Sequence, residues 1–187
     1  MDAKRNDVFG RVPALPLIVQ MTEELSVALL GLLAGALLVI GAPILGYWQS
    51  LEPAEFLNLF AAYTQRLASL MGPLTVAAVV VTVLAAAGAW VTSSPHRVWF
   101  VVAAGLSLVG ALLVPLYFSG ANAALAGGAV PVESVPETLA AWRTLHWLRV
   151  GLSMAALVTA LRGLRAADLV TISERSARRS PAAVAHH

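Results

Sequence analysis

Four long apolar stretches, separated by short polar ones, dominate the pattern of side chains along this chain. The first three contain no ionisable residue over roughly twenty positions or more, which is the length that an α-helix needs to cross a bilayer. We therefore predict membrane spans at about 25–48, 72–91, 98–122 and 143–165. The pattern predicts an all-α integral membrane protein, a four-helix bundle whose single transmembrane domain occupies residues 22–172.

Side chains before the first span indicate where its helix begins. Thr22 can cap a helix N-terminus, and Glu23 and Glu24 favour the positive end of the helix dipole. We expect the span to begin there, and residues 1–21, whose apolar run is interrupted by prolines, to form a cytoplasmic arm rather than a cleaved signal peptide. At the other end of the chain, the polar residues 173–187 are predicted to be a disordered cytoplasmic tail.

The segment between the first two spans, LEPAEFLNLFAAYTQRLASL, has the periodicity of an amphipathic helix. Pro53 suits a first helical turn, and apolar side chains follow it at helical spacing: Phe56, Leu59, Phe60, Tyr63 and Leu67. We expect this helix to lie at the membrane surface or over the bundle, as a lid. Elsewhere, residues 123–136 are rich in Gly and Pro and should be irregular, and Gly31 and Gly35 should let two helices approach closely.

Composition and charge narrow the class of protein. Hydrophobic residues make up 59% of the chain and charged residues 12%, against roughly 25% charged in soluble domains, which excludes a soluble protein. Because Cys is absent, the chain has no disulfide, no thiol nucleophile and no cysteine metal ligand. The net charge of +2 is small and the arginines form no patch, so we expect no nucleic-acid partner.

Basic residues predict the orientation of the bundle. With the N-terminus inside, three arginines would lie outside, and the remaining nine basic residues would lie inside. The outer ones are Arg66, Arg143 and Arg149, and the inner ones are Lys4, Arg5, Arg11, Arg97, Arg162, Arg165, Arg175, Arg178 and Arg179. Since short cytoplasmic segments carry the excess of Lys and Arg, we expect both termini in the cytoplasm.

The fourth span carries the candidate chemistry. About 13 residues separate Arg149 from Arg162, or roughly 20 Å of helix, which is too short for a hydrocarbon core of about 30 Å. The span must therefore begin near Arg143, which places His146 and Arg149 one and two turns inside the bilayer. Both share one helix face with Trp142, and we expect this face to point into the bundle because an arginine in lipid is costly.

The sequence leaves several roles open for these two side chains. Arg149 has no acidic residue in the predicted spans, so it is either a rim anchor that snorkels, a partner of other polar side chains, or the binding group for an anionic ligand. The candidate protein partners are Glu52, Glu55, Asn122 and Tyr117. His146 is either a packed, hydrogen-bonded side chain or a general base. No metal site is expected, because His96 and His146 lie near opposite sides of the membrane.

The motifs of the chain resemble those of the anthrone oxygenase-like family, most of whose members are bacterial membrane proteins of unknown function. The likeness covers about residues 25–164: LEPAEF follows the first span, ANAAL ends the third, and WRTLHWLR, the specific motif, begins the fourth. By this resemblance, the polar cluster of the family would be Asn122, Trp142, His146 and Arg149. The expected location is a bacterial plasma membrane.

The resemblance implies oxygenation of a small apolar or aromatic molecule, in a pocket between helices in the outer half of the bundle. His146 would remove a C–H proton, and Arg149 with Asn122 would hold the resulting enolate while dioxygen attacks. Further ligand contacts are predicted from the side chains Trp142, Arg143 and Tyr117. Neither a cofactor nor a metal is expected, and the partners would be the lipid bilayer and this ligand. The alternative is a non-catalytic membrane subunit or lipid-binding protein with a structural polar cluster, and the sequence leaves an oligomer open.

Overall fold

The computed structural model describes the backbone of residues 14–179 and the side chains of residues 15–167. Within that part of the chain, every long element is a helix. The α-helices are α1 (Ala14–Val39), α2 (Leu45–Ser50), α3 (Pro53–Val91), α4 (Arg97–Leu113), α5 (Ser119–Ala126) and α6 (Val135–Arg179). A π-helical turn, Ile40–Ile44, joins α1 to α2, and a second one, Val114–Phe118, joins α4 to α5. The 3₁₀ turn Val132–Ser134 leads into α6.

Four helical stretches are long and apolar enough to cross a membrane: Leu15–Ser50, Pro53–Val91, Arg97–Ala126 and Val132–Ala167. They form a ring in which α1 and α4 each pack against both α3 and α6. Because the connections between successive spans are short, consecutive spans run in opposite directions. The prediction of an all-α membrane four-helix bundle is confirmed. We call the end at which α1 begins the termini end, and the opposite one the far end.

The helices are longer than a bilayer is thick. Stretches of 36 and 39 residues in the first two spans correspond to about 54 and 58 Å, against a hydrocarbon core of about 30 Å. Part of the bundle must therefore lie outside the hydrocarbon core. Arg66 and Arg143 are exposed, and because an arginine facing lipid is costly, they mark the level at which the far end leaves the core.

An aromatic cluster fills the far end of the bundle. Trp48 of α2 is its centre, with ring centroids 5.9, 5.3 and 5.6 Å from those of Phe56, Phe60 and Trp142, all in edge-on geometry. All four rings are buried. The predicted lid segment is therefore helical, but it is the upright first part of α3, continuous with the second span, and not a separate surface helix. The burial of Phe56 and Phe60 against Trp48 holds this first part of α3 upright in the bundle.

Three predicted boundaries are wrong. Thr22 caps no helix, because its Oγ1 donates to the carbonyl of Ile18 at 2.7 Å inside α1. The helix begins at Ala14, since the missing N–H of Pro16 costs nothing in a first turn.

At the C-terminal side, α6 continues through residues 173–179, where a disordered tail was predicted. Residues 1–13 and 180–187, the rest of the predicted arm and tail, lie outside the described residues. Finally, α5 extends to Ala126 and α6 begins at Val135, so only residues 127–134 of the predicted irregular loop lie outside α-helices.

The glycines that bring helices together are not the predicted ones. A Cβ on Gly35 would meet nothing within 4 Å, and one on Gly31 would meet only Leu157 Cδ1 at 3.9 Å. In contrast, a Cβ on Gly163 of α6 would lie 2.7 Å from Phe100 Cε2, and one on Gly41 would lie 3.2 Å from His146 Cδ2. A Cβ on Gly88 would lie 2.9 Å from Val19 Cγ2. The prediction for GLLAG is therefore wrong, and the close approaches are at Gly41, Gly88 and Gly163.

Candidate functional site: a cavity with a buried arginine

Two π-helical turns lie at the level of the candidate residues. Each contains a proline, Pro43 in the first and Pro115 in the second. A proline ring lacks the N–H of the helical ladder and collides with the carbonyl four residues earlier, and a wider turn relieves both problems. Such turns occur often at functional sites. Here the first one packs against His146, and the second one carries Phe118, which contacts Arg149.

His146 is almost fully buried, with 1% of its surface exposed. Its Nε2 lies 2.9 Å from the carbonyl oxygen of Leu37, just before the first π turn. Because a carbonyl oxygen can only accept, Nε2 carries the proton and donates. The other ring nitrogen, Nδ1, is buried and has no hydrogen-bond partner in the described part of the chain. The ring stacks on Trp142 at a centroid distance of 4.8 Å and an interplanar angle of 8°.

Trp142 fixes the orientation of Asn122. The indole Nε1–H donates to Asn122 Oδ1 at 2.9 Å. Since an indole can only donate, the amide must present its oxygen to Trp142, and its NH₂ group is left without a protein partner among residues 14–167. This bond joins α6 to α5.

Arg149 lies inside the bundle, as its helix face predicts, with 9% of its surface exposed. Its Cζ stands 4.9 Å from the centroid of the Phe118 ring, a cation–π contact. Its guanidinium has no hydrogen bond and no ion pair with any described residue. The side chain is therefore neither a snorkelling rim anchor nor a partner of Glu52 or Glu55.

Two cavities meet at this arginine. The larger, about 390 Å³, lies between α3 and the α4–α5 stretch, and the smaller, about 70 Å³, lies next to His146 and Trp142. Five residues line both cavities: Ala68, Met71, Phe118, Asn122 and Arg149. The walls of the larger cavity are apolar except at Thr75, Asn122 and Arg149. Val76 and Val80 line it while being 62% and 49% exposed, so it opens sideways, toward lipid. We call it the lateral cavity.

The structure brings four of the six predicted site residues together and leaves two apart. Asn122, Trp142, His146 and Arg149 line the smaller cavity. Arg143 is exposed, and Tyr117 is half-buried with its ring edge-on to Phe118 at 5.3 Å. Neither of the two lines either cavity. Arg143 points away because it follows Trp142 by one residue, which is about 100° around the helix.

Sequence reasoning missed a second buried polar pair at the termini end. His96, just before α4, is hydrogen-bonded through Nε2 to Glu23 Oε1 of α1 at 3.0 Å, and the two are 9% and 3% exposed. The predicted spans contain no acidic residue, but α1 begins at Ala14, before the first of them, and therefore includes Glu23. The sequence did indicate that Glu23 could be buried, because Ser26 and Leu30 follow it at helical spacing and face the core.

No protein-family model, curated protein or solved structure matches this chain. The resemblance to the anthrone oxygenase-like family therefore stays a prediction. Within the described residues, no group of three His, Cys, Asp or Glu side chains is placed to hold a metal ion.

Proposed function

We propose that this protein binds a small, largely apolar molecule from the bilayer in the lateral cavity. The observation that carries the proposal is Arg149, a buried guanidinium that lines the cavity and has no acidic or hydrogen-bonding partner among the described residues. Burying an unpaired cation costs several kcal/mol, and a ligand that accepts its hydrogen bonds would offset that cost. A volume of about 390 Å³ falls in the range of roughly 300–1,000 Å³ that is typical of small-molecule sites.

The position of the opening supports access from lipid. Val76 and Val80 lie in the part of α3 between Arg66 and the end of the helix at Val91, which is the stretch long enough to cross the hydrocarbon core. A molecule dissolved in the bilayer would reach the cavity between α3 and α4 without passing through water. The apolar lining matches such a ligand.

The second candidate function is oxygenation of that ligand, and the free Nδ1 of His146 favours it. The ring lines the smaller cavity together with Arg149 and Asn122. Nδ1 is buried in this structure, so the scheme requires the ring to turn toward the cavity. Nδ1 then takes a proton from an acidic CH₂ group beside a carbonyl, and the two donors hold the enolate oxygen. Dioxygen adds to the carbanion carbon, and the resulting hydroperoxide loses water to leave a carbonyl group.

The binding proposal is tested on the full chain in phosphatidylcholine nanodiscs, with radiolabelled decanoate and decanol as probes and empty nanodiscs as background. We expect saturable binding of at least one probe. Ala111→Phe places a ring in the lateral cavity and should abolish that binding. Ala155→Phe adds the same volume on an exposed face of α6 and should leave it unchanged. Absence of saturable binding, or equal binding to both variants, would contradict the proposal.

A further inference from the structure

We infer that the ligand of the lateral cavity is a monoanionic apolar acid, with its oxyanion on Arg149 and Asn122, and that Trp142 is the positioning residue that sets the preference for an anion. The inference rests on the proposed function and narrows it to one chemical class. Three observations carry it: the hydrogen-bonding character of the polar end, the orientation of the cavity in the bilayer, and the bond between Trp142 and Asn122.

The polar end of the cavity offers donors. A guanidinium has five N–H donors and no acceptor, and that of Arg149 uses none of them on the described protein. The side-chain oxygen of Asn122 accepts a hydrogen bond from Trp142, so its two N–H donors remain for a ligand. Thr75, the other polar lining residue, already donates its hydroxyl hydrogen to the carbonyl of Met71 at 2.7 Å. A carboxylate or another oxyanion, which only accepts, complements Arg149 and Asn122 together.

The cavity has the orientation of an amphiphile in a bilayer. Arg149 lies at the end nearer the far end of the bundle, where the two cavities share Ala68 and Met71. From Met71 the lateral cavity continues along α3 to Val80, or about 13 Å toward the termini end. Arg149 itself lies about 9 Å along α6 from the exposed Arg143. A bound acid would therefore hold its charge near the interface and its apolar part in the hydrocarbon core.

The hydrogen bond from Trp142 to Asn122 explains why the cavity should prefer an anion to a neutral ligand. An unrestrained amide side chain turns either its oxygen or its NH₂ group toward a ligand, and would serve a neutral alcohol as well as an acid. The indole donor, 2.9 Å from Asn122 Oδ1, removes that choice. Trp142 thus acts on the ligand through Asn122.

The experiment compares decanoate with decanol, which have the same chain length, in the nanodisc assay. We expect the wild-type protein to bind decanoate at least about tenfold more tightly than decanol, since a hydrogen bond to a charged group contributes more than a neutral one. Arg149→Gln should weaken decanoate binding by about tenfold or more and change decanol binding little. Arg143→Gln removes the same charge from an exposed position of the same helix and is the matched control.

The role of Trp142 is tested by Trp142→Phe, which keeps a ring beside His146 but removes the N–H donor. The decanoate-to-decanol ratio should fall several-fold while decanol still binds. A merely structural tryptophan would lower the unfolding temperature and leave that ratio unchanged, which would overturn its assignment. If Arg149→Gln does not fold, Asn122→Asp replaces it, and its new carboxylate should repel decanoate.

The outcomes separate the inference from the proposed function. Equal affinity for decanoate and decanol, both lost in Ala111→Phe, would overturn the anion preference and leave the binding site standing. Saturable binding of neither probe would overturn both.

Discussion

Two buried polar sites lie at different depths of the same bundle, and they differ in whether an ionisable side chain is paired with another one. At the termini end, Glu23 and His96 are 3% and 9% exposed and are hydrogen-bonded to each other at 3.0 Å. Toward the far end, Arg149 is 9% exposed and stands over the face of Phe118, but it has no hydrogen bond or ion pair with any described residue. The first site joins α1 to the connection before α4. The second borders a cavity of about 390 Å³.

This difference separates a structural site from a candidate functional one. Two buried side chains that are hydrogen-bonded to each other stabilise the contact they bridge, and removing either one leaves the other without its partner. A buried charge without a partner destabilises the free protein, and such groups concentrate at binding sites. The pair Glu23–His96 is therefore a structural contact, and Arg149 is the side chain that the proposed ligand would bind.

The orientation of the two sites gives an all-or-none prediction. The excess of basic residues at the termini end predicts that this end faces the cytoplasm. A reporter fused after His187 should be active in the cytoplasm, and one inserted near Gly128 should report an extracytoplasmic position. The opposite pair of signals would place Glu23 and His96 outside and the arginine site toward the cytoplasm.

Breaking the hydrogen-bonded pair Glu23–His96 should have the largest effect on stability. Glu23→Ala leaves His96 buried without its partner, and we expect it to lower the free energy of unfolding by about 2 kcal/mol. Reversible unfolding in mixed micelles measures this change. Glu24→Ala removes the neighbouring carboxylate, which is exposed and should matter little. Equal losses in the two variants would show that the buried pair contributes nothing of its own.

A carboxylate placed beside Arg149 should give it a partner within the protein, as Glu23 is the partner of His96. Met71 lines both cavities beside the arginine, so Met71→Glu supplies a protein anion where we place that of the ligand. Decanoate affinity should fall about tenfold, or about 1.4 kcal/mol. Met71→Gln, of the same size and uncharged, is the control in the same nanodisc assay. Unchanged decanoate binding to Met71→Glu would show that the anion binds elsewhere.

Removing the unsatisfied charge should have the smallest effect, and one of opposite sign to that of Glu23→Ala. Because an apolar residue of similar length avoids the cost of burying an unpaired cation, Arg149→Leu should raise the free energy of unfolding by about 1 kcal/mol. Arg143→Leu, at an exposed position, should change it little. A clear loss of stability in Arg149→Leu would mean that the arginine serves the fold.

The sequence alone determined the class of fold and the helix face that carries the candidate site. A bilayer imposes a length on each apolar stretch, and a helix places residues three and four apart on one side, so both constraints are readable along one dimension. For this reason the four spans, and the alignment of Trp142, His146 and Arg149, could be predicted. Helix ends were predicted less well. The first part of α3 is held by the packing of Phe56 and Phe60, and α1 begins with exposed apolar residues, Leu15, Leu17 and Ile18, whose neighbouring prolines were taken to interrupt a helix.

Only the tertiary structure decided which side chains meet. His146 bonds to Leu37, 109 residues away, Glu23 to His96, 73 residues away, and Asn122 to Trp142. No local pattern contains these distances, because they depend on how α1, α4, α5 and α6 are rotated against one another. The same packing leaves the space between α3 and α4 and leaves Arg149 facing it. Whether a buried charge is satisfied is a property of its neighbours in three dimensions, and that is why the sequence left the role of Arg149 open.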